Sequence, residues 1–285
     1  MSSDTTYLYP PRPTHSLEGR VAIVTGAGSQ AEGIGNGRAA SILLAESGAT
    51  VLCTDINLSS AQATAQMIND EFPNRGLAVK LDVTNEEECK NVVQLALDKY
   101  GRLDILVNNV GLSGPGGSAV EVDPAKWAQG LEINVTSMML MTKYAVPAME
   151  KNERHPISGR GSIINISSVA GLKGGVPMLL YPTSKGAIIN MTRAMAAHHG
   201  PSGIRVNCVC PDESVREARR ESTLLKTEGN GWDCGCAVRF LASDEARWIT
   251  GHILPVDAGD TAAPNATPGG GSLSPLTLKA AAGDK

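Results

Sequence analysis

Tyr181 and Lys185 are the residues of this chain whose types and spacing most plainly permit chemistry. They are four positions apart, so a helix places both side chains on one face. A phenol has an unperturbed pKa of about 10, and a neighbouring ammonium group favours the phenolate. Ser167 and Ser168 end an apolar run, and one of these hydroxyls would hold a substrate oxygen beside the phenol. The pattern indicates a proton-transfer site.

Two elements, a strand and then a helix, must position these residues. The run 162–168 is apolar and β-branched, which is typical of a buried strand. Pro182 fits the first turn of the helix that follows, where a missing N–H group costs little. Because Tyr-x-x-x-Lys also occurs by chance in many helices, the pair is informative only together with the rest of the chain.

The length of the chain suits one large α/β domain, and its charge is nearly balanced. It has 285 residues and a formal net charge of −4, which gives no reason to expect a nucleic acid or an anionic membrane as partner. No apolar run approaches the length of about 18 residues that spans a bilayer. The polar segment 1–19 has no apolar core of a signal peptide. We therefore expect a cytoplasmic protein.

Six cysteines include two Cys-x-Cys pairs, Cys208 with Cys210 and Cys234 with Cys236. Structural zinc usually takes cysteines separated by about two to four residues, and the first pair lies in a strand-like run. Reduced, packed thiols are therefore favoured, and no metal is expected.

A strand, a glycine-rich turn, a helix and a second strand ending in an acid follow one another near the start of the chain. These parts are the strand 20–25, the glycines Gly26, Gly28, Gly33 and Gly35, the helix 36–47, the strand 51–54 and Asp55. Glycines let the backbone approach a pyrophosphate, the start of the helix favours its charge, and the acid can hold a ribose 2′-hydroxyl. The unit predicts a dinucleotide site.

The charge of Asp55 bears on the choice of cofactor. Its carboxylate would repel a 2′-phosphate, and no Arg or Lys stands at positions 29–32 or 56–57 to offset the repulsion. We therefore expect NAD(H) rather than NADP(H). The alternative, that Asp55 caps the helix beginning at Leu58, fits the same geometry.

Strands and helices alternate along the rest of the chain. The predicted elements are helix 58–71, strand 77–81, helix 85–100, strand 104–108, helix 124–151, strand 162–167, helix 180–199 and strand 204–208. Alternation predicts a doubly wound parallel sheet of Rossmann type, an α/β fold in three layers, with ligands at the carboxyl ends of the strands. Asp55, Asp82, Asn109 and Ser168 all fall at such ends.

With these motifs the chain resembles the short-chain dehydrogenase/reductase family in its single-domain form, over about residues 18–259. Gly33-Ile34-Gly35 after Thr25-Gly26 is similar to the family's cofactor turn, and Asp82-Val83 to its adenine contact. Asn108-Asn109-Val110-Gly111 resembles its Asn-Asn-Ala-Gly motif. Phe240 to Asp244 and Ile249 to Gly251 resemble its last helix and strand. Four residues match its catalytic tetrad, namely Asn134, Ser168, Tyr181 and Lys185.

The resemblance implies a role for each member of the tetrad. Tyr181 would be the general acid/base for a secondary alcohol or a ketone, and Lys185 would lower its pKa and hold the nicotinamide ribose. Ser168, rather than Ser167, would orient the substrate oxygen, and Asn134 would position a water. Lowering a phenol pKa from about 10 to about 7 takes about 4 kcal/mol. The implied cofactor contacts are Gly26, Gly33, Ile34, Gly35, Asp55, Asp82, Val83, Asn109, Gly111, Tyr181 and Lys185.

Two departures from the family pattern affect this site. Six residues separate Gly26 from Gly33, where the family usually has fewer, and a surface bulge would accommodate them. After Pro211 the family has a glycine, a segment that touches the nicotinamide and a mobile lid. Here Asp212 follows, and the segment near 211–232 is shorter. Because a lid excludes water and completes a site, the alternative to an active oxidoreductase is an NAD-binding relative with little or no turnover.

The ends of the chain and the substrate complete the expectations. We expect a loosely packed arm over 1–19, one domain over 20–260 and a disordered tail over 261–285, which is rich in Ala, Gly, Pro and Ser. The run 176–179 suggests an apolar rim, with Lys173 as the nearest cation. We expect an apolar alcohol or ketone, such as a cyclic specialised metabolite, and the family resemblance implies a homodimer or homotetramer. An NADPH-dependent reductase remains open. A sugar-nucleotide epimerase would need a longer substrate domain.

Overall fold

A computed structural model describes residues 12–29, 33–212 and 223–263. In these residues the centre is a sheet of seven parallel strands in the order β3-β2-β1-β4-β5-β6-β7. The strands are β1 (Val21–Thr25), β2 (Thr50–Asp55), β3 (Gly76–Lys80), β4 (Ile105–Asn108), β5 (Gly161–Ile166), β6 (Ile204–Pro211) and β7 (Ile253–Val256). The chain returns to the middle of the sheet after β3, so the predicted doubly wound α/β class is confirmed.

Helices cover both faces of the sheet. They are α1 (Asn36–Glu46), α2 (Leu58–Glu71), α3 (Glu86–Tyr100), α4 (Pro124–Leu131), α5 (Ser137–Glu150), α6 (Leu180–His199) and α7 (Gly231–Ala242). Alternate residues of a strand face opposite layers: Ala22 and Val24 belong to one buried cluster, and Val21 and Ile23 to another. Among the described residues, no helix has both the length and the apolarity to cross a membrane.

Asn57, not Asp55, caps α2. The Asn57 side chain accepts hydrogen bonds from the backbone N–H groups of Ser59 and Ser60. The alternative that Asp55 caps this helix is therefore wrong, because the capping position lies two residues later. Its carboxylate remains at the end of β2, where it meets the glycine turn.

The segment predicted as one helix over 124–151 is interrupted. A π-helical turn, Glu132–Thr136, separates α4 from α5, and Asn134 lies within it. One extra residue in a turn changes which side chains face the sheet, and such turns are frequent at functional sites. The predicted helix was right in extent and wrong in regularity.

Strand β6 runs to Pro211, three residues beyond its predicted end at Cys208. Cys208 to Pro211 pair in register with Ile253 to Val256 of β7. Pairing with this last strand extends β6, and it brings Asp212 to the carboxyl edge of the sheet, where its N–H group bonds to the Val256 carbonyl at 3.3 Å.

Residues close to both predicted boundaries of the domain form hydrogen bonds with it. Leu17 is fully buried, and its N–H group bonds to the Ser47 carbonyl at 2.7 Å. The loose arm expected through residue 19 is therefore wrong for Leu17, which belongs to the core. At the other end, the N–H and hydroxyl of Thr261 bond to Asp257. Segments 1–11 and 264–285 lie outside the described residues, as does 213–222 of the shortened loop.

Candidate active site

The turn after β1 is tied both to the start of α1 and to the end of β4. Gly26 has a φ of 62°, a left-handed conformation that favours glycine. A Cβ atom on Gly37 would lie 2.1 Å from the Gly26 carbonyl oxygen, so only glycine lets the helix approach so closely. The Asn109 side chain donates to the same carbonyl at 2.9 Å. The N-terminal end of α1 therefore faces the carboxyl edge of the sheet beside Asn109.

Arg38 holds the enlarged glycine turn from behind. This buried side chain donates to the Thr64 hydroxyl at 3.0 Å and to the Gly33 carbonyl at 2.6 Å. The Thr64 hydroxyl in turn donates to the Ala27 carbonyl at 2.8 Å. Arg38 thus links both ends of the turn to α2, although residues 30–32 between them lie outside the described chain.

Asp55 meets the glycine turn directly. Its Oδ2 atom accepts the N–H group of Gly28 at 3.1 Å, and its Oδ1 atom accepts that of Asn57 at 2.9 Å. Ser60, which our sequence reasoning missed, accepts the N–H group of Ser29 at 2.8 Å. Nothing in the sequence marks Ser60, because its role depends on how α2 packs against the turn. Together these contacts form a polar wall at the end of β2.

Asp82 and Val83 lie just after β3, at the same edge. The Asp82 carboxylate accepts hydrogen bonds from the N–H and hydroxyl groups of Thr84 at 2.9 and 2.7 Å. The backbone N–H group of Asp82 donates to the Glu88 carboxylate. Val83 is buried, and its carbonyl accepts the Cys89 thiol. These bonds fix the loop between β3 and α3 against the end of the sheet.

A cleft of about 1080 Å³ runs along this edge, comparable to the largest ordinary ligand sites. Seven of the predicted cofactor contacts line it: Gly26, Gly35, Asp55, Asp82, Val83, Asn109 and Gly111. The cleft lining does not include Gly33 or Ile34. The Gly33 carbonyl points to Arg38, and the Ile34 carbonyl lies against Gly231 at the start of α7. Residues of the lining that the sequence reasoning did not select include Ser60, Thr84, Gln129, Glu132 and Ile133.

Tyr181 and Lys185 occupy one face of α6, as their spacing predicts. The Lys185 Nζ atom lies 5.5 Å from the centroid of the Tyr181 ring and donates to the Ile166 carbonyl at 3.2 Å. Tyr181 is 8% exposed and Lys185 is 2% exposed. In general an ammonium group this close favours the anionic form of a phenol, whereas burial opposes it.

The two hydroxyls at the end of β5 have different surroundings. Ser167 donates to the carbonyl of Lys185 at 2.7 Å, so it fastens α6 to the sheet. Ser168 accepts the N–H group of Ala170 at 3.1 Å, which leaves its hydroxyl proton for donation. This difference supports the choice of Ser168 over Ser167 as the group that orients a substrate oxygen.

Asn134 connects the loop after β4 to α6. Its amide forms two hydrogen bonds with Leu112, one to the carbonyl and one from the N–H group, both at 2.8 Å. It also donates to the Ser184 hydroxyl at 3.0 Å, and Ser184 donates to the carbonyl of Tyr181. The π-helical turn thus places the fully buried Asn134 amide next to α6, one hydroxyl group away from the backbone of Tyr181.

Gly111 lies between the cleft and the tetrad. Ser168, Tyr181 and Lys185 are not in the cleft lining, and a Cβ atom on Gly111 would lie 2.9 Å from the Lys185 Nζ atom. The loop beyond it crosses to α6, where the N–H group of Leu179 bonds to the Gly117 carbonyl at 3.1 Å. The structure therefore places the Lys185 ammonium group directly behind Gly111 of the cleft lining.

The Cys208–Cys210 pair packs beneath the tetrad. Both side chains are buried, and their Sγ atoms are 3.8 Å apart. The contact with Cys210, together with burial, raises the pKa of Cys208, so its thiol stays protonated. No disulfide occurs among the six cysteines, all of which are described. The pair has the packed-thiol arrangement that the sequence favours.

Comparison with known proteins agrees with this architecture. A family model described as enoyl-(acyl carrier protein) reductase matches residues 28–261. The chain is 34% identical to the 3-oxoacyl-(acyl-carrier-protein) reductase FabG of Thermotoga maritima, covering 85% of this chain and 98% of the relative. It is 32% identical to the 7alpha-hydroxysteroid dehydrogenase of Escherichia coli K12, covering 85% and 94%. A crystal structure from Burkholderia xenovorans, described as a short-chain dehydrogenase/reductase, superposes with a TM-score of 0.79 at 36% identity, covering 87% and 99%.

Proposed function

Because the chain belongs to the short-chain dehydrogenase/reductase family, whose members are NAD(P)-dependent oxidoreductases acting on CH–OH groups, we propose that it interconverts a secondary alcohol and a ketone with NAD(H). The observation that carries the proposal is the buried pair of Tyr181 and Lys185, with Lys185 next to Gly111 in the lining of a cleft large enough for a dinucleotide. Asn134 and Ser168 complete the tetrad around this pair.

The cleft has the features that a dinucleotide requires. The N-terminal end of α1, with Asn36 and Gly37 in the cleft lining, offers backbone N–H groups and a positive dipole end to a pyrophosphate. Asp55 and Val83 both line the cleft, where Asp55 would hold a ribose and Val83 would pack against an adenine ring. A bound nicotinamide cofactor supplies or accepts the hydride. Lys185, next to Gly111, would hold its ribose hydroxyls.

The proton transfer falls to the tetrad. In alcohol oxidation the Tyr181 phenolate takes the hydroxyl proton, and in ketone reduction the phenol returns it to the carbonyl oxygen. The positive charge of Lys185 favours the phenolate, and the Ser168 hydroxyl donates to the substrate oxygen. Asn134, through Ser184, supports the backbone of α6 at Tyr181. The inferred water beside Asn134 would link Lys185 to solvent.

NAD(H) is favoured over NADP(H) by the charge at the end of β2. The Asp55 carboxylate would face a 2′-phosphate, and bringing these two negative charges together would lower the affinity for NADP(H) by about ten- to a hundredfold. Arg38, the cation nearest to Asp55 in the sequence, is buried behind the turn and bonded to Gly33 and Thr64. It is therefore directed away from the place where it would neutralise a phosphate.

An apolar substrate is favoured by the surroundings of the tetrad. Leu172, Val176 and Leu179 are partly exposed on the segment before α6, and Leu224 and Leu225 are exposed on the far side of the shortened loop. Lys173, the one cation noted near this rim, is paired with Asp260. A relative is named for a hydroxysteroid, which is a cyclic secondary alcohol. We extend the proposal to cyclic, mostly apolar alcohols and ketones.

We further propose a cytoplasmic homodimer or homotetramer. Cys208 and Cys210 are buried free cysteines whose Sγ atoms are 3.8 Å apart, an arrangement that suits a reducing compartment. Trp248 and Val120 are almost fully exposed in the single chain and would be covered in an assembly. Light scattering after size-exclusion chromatography measures the assembly directly.

The test is a screen of the purified protein against cyclic secondary alcohols with NAD+ and the matching ketones with NADH, followed by NADH absorbance. Turnover that Tyr181→Phe abolishes, with NADH binding retained, supports the oxidoreductase. NADH binding without turnover on any substrate supports the alternative of a weakly active relative, which Asp212 in place of the family's glycine favours. Absence of NADH and NADPH binding would contradict both.

A further inference from the structure

A second cavity, of about 230 Å³, lies at the opposite edge of the sheet from the cofactor cleft. Arg20 precedes β1, Asp104 precedes β4, Arg160 precedes β5, and Arg205 is the second residue of β6; all four line the cavity. Because the strands are parallel, their first residues meet at the amino edge, whereas the tetrad lies at the carboxyl edge. The cavity is therefore separate from the proposed active site.

Arg205 is the unusual member of this cavity. Its side chain is 7% exposed, and its Nη2 atom donates to the Ser243 carbonyl at 3.2 Å. Its Nε and Nη1 atoms have no hydrogen-bond partner in the described residues. Burial and the charge of Arg20 lower the pKa of Arg205 to about 10, while the Asp244 carboxylate, which is paired with Arg20, acts in the opposite direction; the group stays cationic at neutral pH. A buried cation with unsatisfied donors calls for an anionic partner.

Two other cations of the cavity already have partners. Arg20 is paired with Asp244, and Arg102 with Asp104 at 2.7 Å. Their charges are therefore compensated within the protein, and they contribute little attraction for a ligand.

Arg160 lacks a carboxylate partner among the described residues. Its Nε atom donates to the Asn152 carbonyl at 3.0 Å, and its Nη1 atom to the Ser202 carbonyl at 3.2 Å. Arg160 directly precedes β5, and Arg205 lies on the neighbouring strand β6. The N–H group of Arg160 bonds to the Gly203 carbonyl, and two residues further on Ser162 pairs with Arg205. Of the acids in the lining, Glu18 is paired with Arg75, and Glu153 is exposed at the mouth.

We propose that this cavity binds a small oxyanion of the phosphate class, held by Arg160 and Arg205. A guanidinium group presents donors in a planar fork that matches phosphate oxygens, and two such groups compensate a dianion. Water alone would occupy the cavity and accept hydrogen bonds, but it would add no negative charge beside the two guanidinium groups. This site does not depend on the dehydrogenase reaction, and a dinucleotide would occupy the opposite edge of the sheet.

The test is calorimetric titration of the whole protein with inorganic phosphate, against chloride at equal ionic strength. We expect phosphate-specific binding that Arg160→Gln and Arg205→Gln each weaken by about tenfold or more, the effect of losing a charge-assisted hydrogen bond. Arg154→Gln is the matched control, because Arg154 is an exposed residue of the same loop that does not line the cavity. It removes the same charge and should leave the affinity unchanged.

Arg160→Gln keeps the test decisive if Arg205→Gln does not fold, because Arg160 is only half-buried. Phosphate binding that is absent in the wild type, or equal in the wild type and Arg160→Gln, overturns the proposal. The latter result would place the phosphate elsewhere, for example in the cofactor cleft. NADH affinity, measured on the same variants, should not change, which separates this site from the proposed function.

Discussion

The Lys185 Nζ atom lies 5.5 Å from the centre of the Tyr181 ring while it donates to the Ile166 carbonyl at 3.2 Å. The carbonyl fixes the ammonium group at the end of β5, so its charge acts on the phenol from a constant place. Both residues belong to α6, but a carbonyl group of β5 fixes the position of the Lys185 ammonium group over the Tyr181 ring.

Tyr181→Phe removes the hydroxyl that transfers the proton. We expect turnover to fall by about 10²- to 10⁴-fold, the usual contribution of general acid–base catalysis, while the affinity for NADH stays within a few-fold of the wild type. Steady-state kinetics and fluorescence titration measure the two quantities. Tyr144→Phe is the matched control, because the Tyr144 hydroxyl bonds to Glu86 away from the site. An equal loss in both variants would contradict the role of Tyr181.

Ser168→Ala and Ser167→Ala should separate catalysis from packing. Without Ser168 the substrate oxygen loses a donor, so we expect the larger loss of turnover there; the Ala170 N–H group also loses its acceptor, so the free energy of unfolding should fall by about 1 kcal/mol as well. Without Ser167 the bond to the Lys185 carbonyl is lost, and we expect the free energy of unfolding to fall by about 1 kcal/mol. Chemical denaturation and kinetics on both variants check this. The reverse pattern would reassign the substrate hydroxyl to Ser167.

Asp55→Asn should relax the preference for NADH. The amide keeps a carbonyl oxygen for the Gly28 N–H group but removes the charge that would repel a 2′-phosphate. We expect the ratio of NADPH to NADH affinity to rise by about ten- to a hundredfold, corresponding to the like-charge repulsion removed. Titration with both cofactors measures the ratio. An unchanged ratio would mean that Asp55 does not face the ribose.

Arg38→Met should loosen the glycine turn. It removes two hydrogen bonds from a buried cation, to Thr64 and Gly33, and we expect the free energy of unfolding to fall by about 3 kcal/mol. NADH affinity should fall as well, because the turn would no longer be held against α2. Arg193→Met, on the exposed face of α6, is the control. Wild-type cofactor affinity in Arg38→Met would show that the turn holds its shape without this support.

Restoring a lid tests the shortened loop. Asp212→Gly, combined with a loop of the family's usual length after it, should raise turnover more than it changes NADH affinity, because a lid excludes water from the reacting atoms. Asp212→Gly alone is the control for the backbone change. Turnover that stays at the wild-type level in the lengthened protein would refute the idea that the loop limits activity.

Local patterns in the sequence were sufficient for the order of elements and for the edge at which the site lies. The alternation of strands and helices predicted the parallel sheet, and helical spacing predicted the shared face of Tyr181 and Lys185. Asn57 as the cap of α2 was missed because Asp55, two residues earlier, satisfies the same residue preference. The choice between them depends on where the strand ends.

Features that arise from contacts between distant segments could not be predicted in this way. The π-helical turn at Asn134 has no periodic signal that distinguishes it from an α-helix over so few residues. Arg38 reads as a surface residue of α1, and only the packing of α2 shows that its charge is buried. Arg205 is likewise shown to be buried only by the packing around it, which leaves two of its donor atoms without a partner among the described residues.

The hydrogen bond between Asn109 and Gly26 joins residues 83 positions apart in the chain. During synthesis the first three strands emerge and can pair among themselves. Asn109, which holds the glycine turn from the other side, follows β4 and is made only later. Such long-range closure is slow compared with local folding. An amino-terminal fragment ending before β4 would therefore lack a cofactor site, and binding of NADH to growing chains would report the moment at which the two halves of the sheet join.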